Sequence, residues 1–450
     1  MAKIHRFFET EREFAVKKRH YGWYAATYRL NEKIDRRLTV TGKAVFLCAF
    51  ALVFFGLNTR ASMLFAVFAI ALALLITDAL SLLFQKWDFE FERFLPEYAS
   101  KDVPLKYQVL LRKKFSQKYD GQLFFEEVPA NPLPTFSAFD STKEPGEEKR
   151  NSFDRKMGYY RWKWMISQNC GGKFPEFPVA GKKTDGGILF NAEFTPERRG
   201  RIRFGGAYIF RKGVFGLLKK GKIIENTGDF IVLPKIYDSF EVPENAGGNS
   251  NQRNEKIRET SETGSGFELK SLRDFVPGDS IRNIHWKSSA KSGQLRTKEF
   301  YKETDSGAAL FVDNFFEEHY SENFEKILSA ASTLLDIFQK EDNMPQIMMI
   351  GNKSFEIPDS SGKSFARALA ALALAENNPD ETFESCLNLL SETAENSPAL
   401  FFFTTKNDTA RRDALTLLAG KGTKIVVFYA GNDENIPQNW IKTDFKEGEK

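Results

Sequence analysis

Asp279, Arg282 and His285 are the residues of this chain whose types and spacing come nearest to a catalytic set. An imidazole three residues from a guanidinium and six from a carboxylate could move a proton if the backbone turned the three together. The competing reading is a hydrogen-bonded turn between two domains, and it has the better support. No Ser or Cys stands in a recognisable nucleophile setting, and one histidine is weak evidence for catalysis. Glu268, Arg273, Asp274, Pro277, Gly278, Trp286 and Lys287 complete a dense polar cluster. Pro277-Gly278-Asp279 reads as a turn into a helix, with Asp279 capping a helix that carries Ile281, Ile284 and Ala290 and ends at Gly293. Gly264-Ser265-Gly266 lacks the lysine and hydroxyl of a phosphate-binding loop. No catalytic residue is assigned.

The elements that must carry this cluster begin with two oily runs. Ala44 to Leu57 and Met63 to Ile76 contain no charge, and Asn58 to Ser62 form a polar turn between them. Each strictly uncharged core falls short of the roughly 20 residues that span a bilayer. Thr39 to Lys43 extend the first, since a lysine can snorkel to the headgroups, and the second continues to Phe84. The expectation is a hairpin of two transmembrane helices at about 42–58 and 62–84. Asp78 then lies near the membrane exit or faces the partner helix. Residues 1–40 hold ten Lys or Arg against five Asp or Glu, a net of +5. That charge keeps the N-terminus cytoplasmic, and two crossings return the remainder to the cytoplasm, with Arg60 in the outside loop.

The whole chain of 450 residues is nearly balanced at +4, so no polyanion partner is indicated and nucleic-acid binding is not expected. Its length calls for several domains. Cys48, Cys170 and Cys386 show no metal or disulfide spacing, and no cofactor is expected.

Past the hairpin, Trp87 to Arg93 alternates aromatics with charges, the period of a half-buried strand. Leu105–Leu111, Gln122–Val128, Tyr159–Ile166, Gly187–Phe194, Arg201–Arg211 and Phe230–Leu233 continue the pattern. Seven or so strands with Gly/Pro turns predict a β-sandwich over 86–240. Residues 241–263 are polar and Gly/Ser-rich, a linker. From Ala308 onward strands alternate with helices: 308–312, 346–350, 400–403 and 424–429 against 317–339, 365–374 and 408–418. That order predicts a mainly parallel sheet covered on both faces. The fold class is multidomain α+β, with a transmembrane hairpin, a β-sandwich and a Rossmann-like α/β domain.

The central stretch resembles the signature of a bacterial family catalogued as domain of unknown function fifty-eight. The matching pieces are Gly266-Phe267-Glu268, Leu272-Arg273-Asp274-Phe275, Pro277-Gly278-Asp279, Arg282, His285-Trp286-Lys287 and Ala290. Phe194 to Leu218 and Ile231 to Pro234 resemble the segment that precedes that signature. The resemblance implies a signature segment at 264–300, a von Willebrand factor A-like domain at 301–435 and a tail at 436–450. Such domains often hold a divalent ion through Asp-x-Ser-x-Ser at the end of the first strand. This chain keeps Asp313 but has Phe315 and Glu317 where the hydroxyls belong, so the site reads as degenerate and no metal is expected.

The resemblance also implies a partner, since relatives often lie beside genes for MoxR-type AAA+ ATPases. The favoured function is therefore a membrane-anchored interaction or scaffold protein that works with such an ATPase on envelope or metalloprotein complexes. The alternatives are an envelope-metabolism enzyme using Asp279, Arg282 and His285, and a metal-dependent adhesion domain.

Overall fold

The computed structural model describes residues 2–56, 62–83, 89–113, 122–184, 187–237, 269–276, 284–292, 294–300, 308–316, 321–379, 381–431, 433 and 435–443. The expected linker, the turn at 58–61, and Glu268, Pro277, Gly278, Asp279, Arg282 and Glu317 lie outside the described residues. Two compact units emerge, and neither follows chain order. The first holds Met1–Ile236, Asn314–Ser332 and Ala366–Thr382, the second Tyr237–Asp313, Thr333–Phe365 and Phe383–Lys450.

The first unit opens with three helices, α1 (Ala2–Asp35), α2 (Val40–Gly56) and α3 (Ser62–Leu82). The basic segment is thus helical rather than merely a charged flank. Among the described residues one helix, Met63–Leu82, is long and apolar enough to cross a membrane, and the apolar part of α2, Val40–Val53, is shorter. α2 and α3 pack against each other.

Ten strands follow: β1 (Phe89–Phe94), β2 (Tyr98–Ser100), β3 (Leu105–Lys113), β4 (Leu123–Pro129), β5 (Gly172–Lys173), β6 (Phe177–Pro178), β7 (Lys182–Thr184), β8 (Gly187–Pro196), β9 (Gly200–Lys212) and β10 (Lys219–Leu233). One sheet runs β1-β3-β8-β5 with β7 beside β8, and the other β2-β10-β9-β4-β6. Their inner faces share one core. Phe89, Phe91, Val109, Phe190 and Phe194 come from the first sheet, and Phe125, Ile202, Phe204, Phe230 and Val232 from the second. The alternation seen in the sequence is the cause, since every second side chain of a strand faces the same layer. β10 begins eleven residues earlier than expected. Its first four residues, Lys-Lys-Gly-Lys, carry no apolar signal and are held by antiparallel pairing with β9.

One expected strand is a helix. Tyr159–Ile166 lies in α6 (Tyr159–Cys170), preceded by α4 (Phe136–Ser141) and α5 (Ser152–Met157). Gly158 and Gly171 bracket α6 with φ of 68° and 72°, a conformation that favours glycine. Its buried residues, Arg161, Trp162 and Met165, share one helical face. Arg161 donates from Nε to Glu147 Oε2 (2.9 Å) and from Nη1 to the Phe139 carbonyl (3.0 Å). Trp162 meets Tyr21 of α1 edge-on at 5.4 Å. The aromatic-basic run is therefore a docking face for α1, which a period-two reading of eight residues could not distinguish.

On β4, burial pushes the Glu126 carboxyl up to about 7; Lys219 pulls it down and Glu176 adds to the rise. An acid with a raised folded pKa binds more protons folded than unfolded between its ordinary value and the raised one. Stability of this unit is therefore expected to fall as pH climbs from 4.5 to about 7, then to level. Thermal melts across that range should show the slope, and Glu126→Gln should flatten it.

The second unit contains an antiparallel pair, β11 (Leu269–Asp274) with β12 (Arg296–Phe300), and between them the helix α7 (Trp286–Ser292). A six-stranded sheet follows in the order β15-β14-β13-β16-β17-β18. Its strands are β13 (Ala309–Val312), β14 (Ile347–Ile350), β15 (Lys353–Glu356), β16 (Ala399–Thr404), β17 (Lys424–Tyr429) and β18 (Trp440–Lys442). All pairings are parallel except β14 with β15. Every residue of β13 and β16 is buried, so neither face of these central strands meets water. Along the chain the strands are connected by α8 (Glu322–Lys340), α9 (Gly362–Ala373), α10 (Leu387–Glu395) and α11 (Thr409–Gly420), of which Glu322–Ser332 and Ala366–Ala373 are counted with the first unit. Phe338, near the end of α8, packs edge-on against Phe401 at 5.1 Å.

Candidate functional site

The chain leaves β13 for β14 on one side, while β16 pairs on the other. Strand order reverses there, and open parallel sheets place their ligand crevices at such a point, at the carboxyl ends of the strands. Asp313 follows the last residue of β13, and Thr404 is the last residue of β16.

The crevice is filled by an arginine. Asp408 caps α11, its Oδ1 accepting from Arg411 N at 3.0 Å, which puts the Arg411 side chain one turn in. Arg411 Nε donates to Asp313 Oδ2 at 2.5 Å, and Nη2 to Asp313 Oδ1 at 3.0 Å. Its Nη1 donates to Asp408. Thr404 Oγ1 donates to Asp313 Oδ2 at 2.6 Å. Exposure is 2% for Asp313 and 3% for Arg411. The guanidinium carbon lies 4.7 Å from the Phe383 ring centroid. Burial alone would lower the Arg411 pKa, but hydrogen bonds and charge from Asp313 and Asp408 outweigh it and raise it. Burial pushes the nearby Cys386 thiol up to about 12, and the charge of Asp313 adds to the shift, so that sulfur is no nucleophile.

This geometry bears directly on the ion site. A divalent cation needs several oxygen ligands converging on one point. Both Asp313 oxygens are engaged by a cation the protein supplies itself, and Phe315 is a buried ring. Among the described residues no three of His, Cys, Asp and Glu converge to hold a metal. Arg411 and Asp408 escaped the sequence reading. Their signal was faint: an Asp before an amphipathic helix with an Arg three residues on.

The signature residues that are described lie elsewhere in the second unit. The described helix of the signature starts at Trp286 with His285 as its cap, and Ile284, expected inside a helix, instead forms a β-bridge to Thr297. His285 Nδ1 accepts from Ser288 N–H at 3.2 Å. The His285 N–H donates to the Arg296 carbonyl at 2.8 Å, and Ser289 Oγ donates to the His285 carbonyl at 3.0 Å. Arg296 N in turn donates to Ser289 Oγ at 2.9 Å, stitching α7 to β12. Ile284 is buried beside Thr297, while Trp286 is 63% exposed and Lys287 is exposed. Asp274 pairs with Arg296 at 3.7 Å, and Arg273 Nη1 donates to the Asp274 carbonyl at 3.2 Å. His285 is thus held as a turn residue. His285→Ala is expected to cost about 1 kcal/mol, the worth of a helix cap. A urea titration checks this, and a loss of function far beyond the loss of stability would speak for catalysis instead.

Residues 271–439 match the family model described as protein of unknown function DUF58. That span runs from β11 to the residue before β18 and takes in both the His285 turn and the Asp313–Arg411 pair. The chain is also similar to the uncharacterized protein YeaD of Bacillus subtilis (strain 168), with 28% identity over 185 residues. The similarity covers 39% of this chain and 43% of YeaD, less than half of either protein.

Proposed function

We propose that this protein is a membrane-anchored scaffold whose folded units recruit other proteins. The observation that carries the reading is α3: Phe65, Val67, Ile70, Ile76 and Leu80 are all exposed along a helix of 21 residues. Water would not tolerate so continuous an apolar surface, whereas hydrocarbon would. In this reading α2 joins α3 as a second crossing, extended to the interface by Lys43.

The α/β sheet is read as a von Willebrand factor A-like module in which Arg411 stands where the ion would bind. Such a module works through its surface and needs no metal. By the family resemblance, the partner is an AAA+ ATPase of the MoxR type. Support for a non-enzymatic role comes from the site: the crevice where a substrate would enter is closed by a paired guanidinium. The test has two steps. The full-length protein should stay in the pellet after alkaline carbonate extraction of membranes. Crosslinking and mass spectrometry of the detergent-solubilised complex should then recover an ATPase. Extraction into the supernatant would refute the anchor, and repeated failure to recover an ATPase would refute the partnership.

A further inference from the structure

The turn between β9 and β10 is fastened to the ends of the two oily helices. Asp78, fully buried near the end of α3, accepts three backbone hydrogen bonds from it: Phe215 N at 2.7 Å, Leu217 N at 2.9 Å and Leu218 N at 2.7 Å. Gly213 lies against the same carboxylate, with no room for a Cβ. At the start of α2, Thr39 Oγ1 donates to the Gly216 carbonyl at 2.7 Å, and Thr39 N to the Leu217 carbonyl at 3.0 Å. Lys220 Nζ closes the exit of α3 by donating to the carbonyls of Leu82 (2.9 Å) and Leu83 (3.1 Å). The turn and the helix ends are one rigid joint.

The depth of that joint follows from lengths. At 1.5 Å per residue, the 21 residues of α3 reach about 31 Å, which barely matches the roughly 30 Å hydrocarbon core. α3 therefore has to be used through Leu82. Asp78 lies four residues, about 6 Å, inside that end. A carboxylate at that depth is costly unless it is hydrogen-bonded, and the amides of the turn supply those bonds. The turn must accordingly travel to the same depth as Asp78. Its outward side chains suit that environment: Val214 is 78% exposed and Phe215 is 53% exposed, both at a tip, Gly213 to Leu218, that carries no charge.

We propose that this tip is a third membrane contact, with Val214 and Phe215 immersed at the boundary of headgroups and acyl chains beside the exit of α3. Side chains at such a boundary typically reach 5–10 Å inward, about the depth fixed by Asp78. The contact sets how the two sheets stand on the bilayer, because β9 and β10 run directly from the tip into the core. The inference rests on the reading of α3 as a membrane span.

The test uses the full-length chain with Cys48, Cys170 and Cys386 replaced, reconstituted in phosphatidylethanolamine–phosphatidylglycerol vesicles. Val214→Cys and Phe215→Cys, prepared separately, are labelled with an environment-sensitive NBD probe. Val103→Cys, at the opposite end of β9 and about 40 Å away by strand rise, is the control. The tip probes are expected to emit at shorter wavelength and to lose most of their fluorescence to lipids carrying a nitroxide high on the acyl chain. The control should do neither. Tip probes that report water while the protein resists carbonate extraction overturn the inference and leave the anchor standing. Extraction of the protein from the vesicles overturns both.

Discussion

Asp78→Ala is expected to destabilise the joint between α3 and the two sheets by about 3 kcal/mol or more, since each buried donor left without a partner costs roughly 1–3 kcal/mol. Three amides lose their acceptor at once, those of Phe215, Leu217 and Leu218. The substitution removes few atoms, so a cavity is a minor part of the loss. Asp78→Asn should recover part of the loss, because its amide oxygen in place of Oδ2 can still accept from Leu217 and Leu218 N while its NH2 group faces the Phe215 N–H. Gly213→Ala reaches the same joint from the other side, since an added Cβ would strike the carboxylate of Asp78. The two variants should therefore share one phenotype: cleavage by added protease within 213–218 and an earlier melt in detergent. The sheets themselves should keep their circular dichroism. A protein that melts as the parent does after Asp78→Ala would show that the carboxylate contributes nothing.

Asp78 also shows what the sequence could and could not say. An acid late in an apolar run advertises a partner, and the need for one was legible, although the partner is not the neighbouring oily helix. That the partner is a turn some 137 residues downstream was not, because backbone amides carry no residue-specific signal. The sheets were legible for the opposite reason. Phe89, Phe91 and Tyr107 alternate with polar neighbours, and alternation maps directly onto the two faces of a strand. The parallel sheet was legible from runs such as Leu400 to Phe403, which are apolar throughout because both faces are covered.

The failures share a cause, which is that tertiary contacts overrode local pattern. Tyr159 to Ile166 satisfies both periods over eight residues, and the deciding facts were the flanking glycines and the salt bridge from Arg161 to Glu147. Ile284 was expected inside the helix near His285, but it pairs with Thr297 of β12, and the helix that follows is capped by an imidazole. At the end of β13, Phe315 was legible as a residue that offers no oxygen ligand. The cation that engages Asp313 comes from α11, 98 residues away, and its spacing of three from Asp408 is a faint signal beside the exposed arginine next to it.

The ion pair of Arg411 with Asp313 leads to the other large expected effect. Arg411→Met should destabilise the second unit by about 3–5 kcal/mol, the usual cost of stranding one member of a buried ion pair. The size of the effect comes from Asp313, which stays buried after losing both hydrogen bonds from the guanidinium and keeps the one from Thr404. Arg411→Met combined with Asp313→Asn should therefore be more stable than Arg411→Met alone, because the second change removes the stranded charge while Asn still accepts from Thr404. If packing of the arginine against Phe383 were the main contribution, the double variant would be no better than the single one. Urea unfolding followed by tryptophan emission separates the two outcomes, and a positive coupling near 1–3 kcal/mol is the expected reading. The wild-type pair is not itself a large source of stability, since desolvating two charges offsets most of their attraction. What the pair does is hold α11 at one position over the ends of β13 and β16, because the guanidinium is fixed at once by Asp313 of the sheet and Asp408 of its own helix cap.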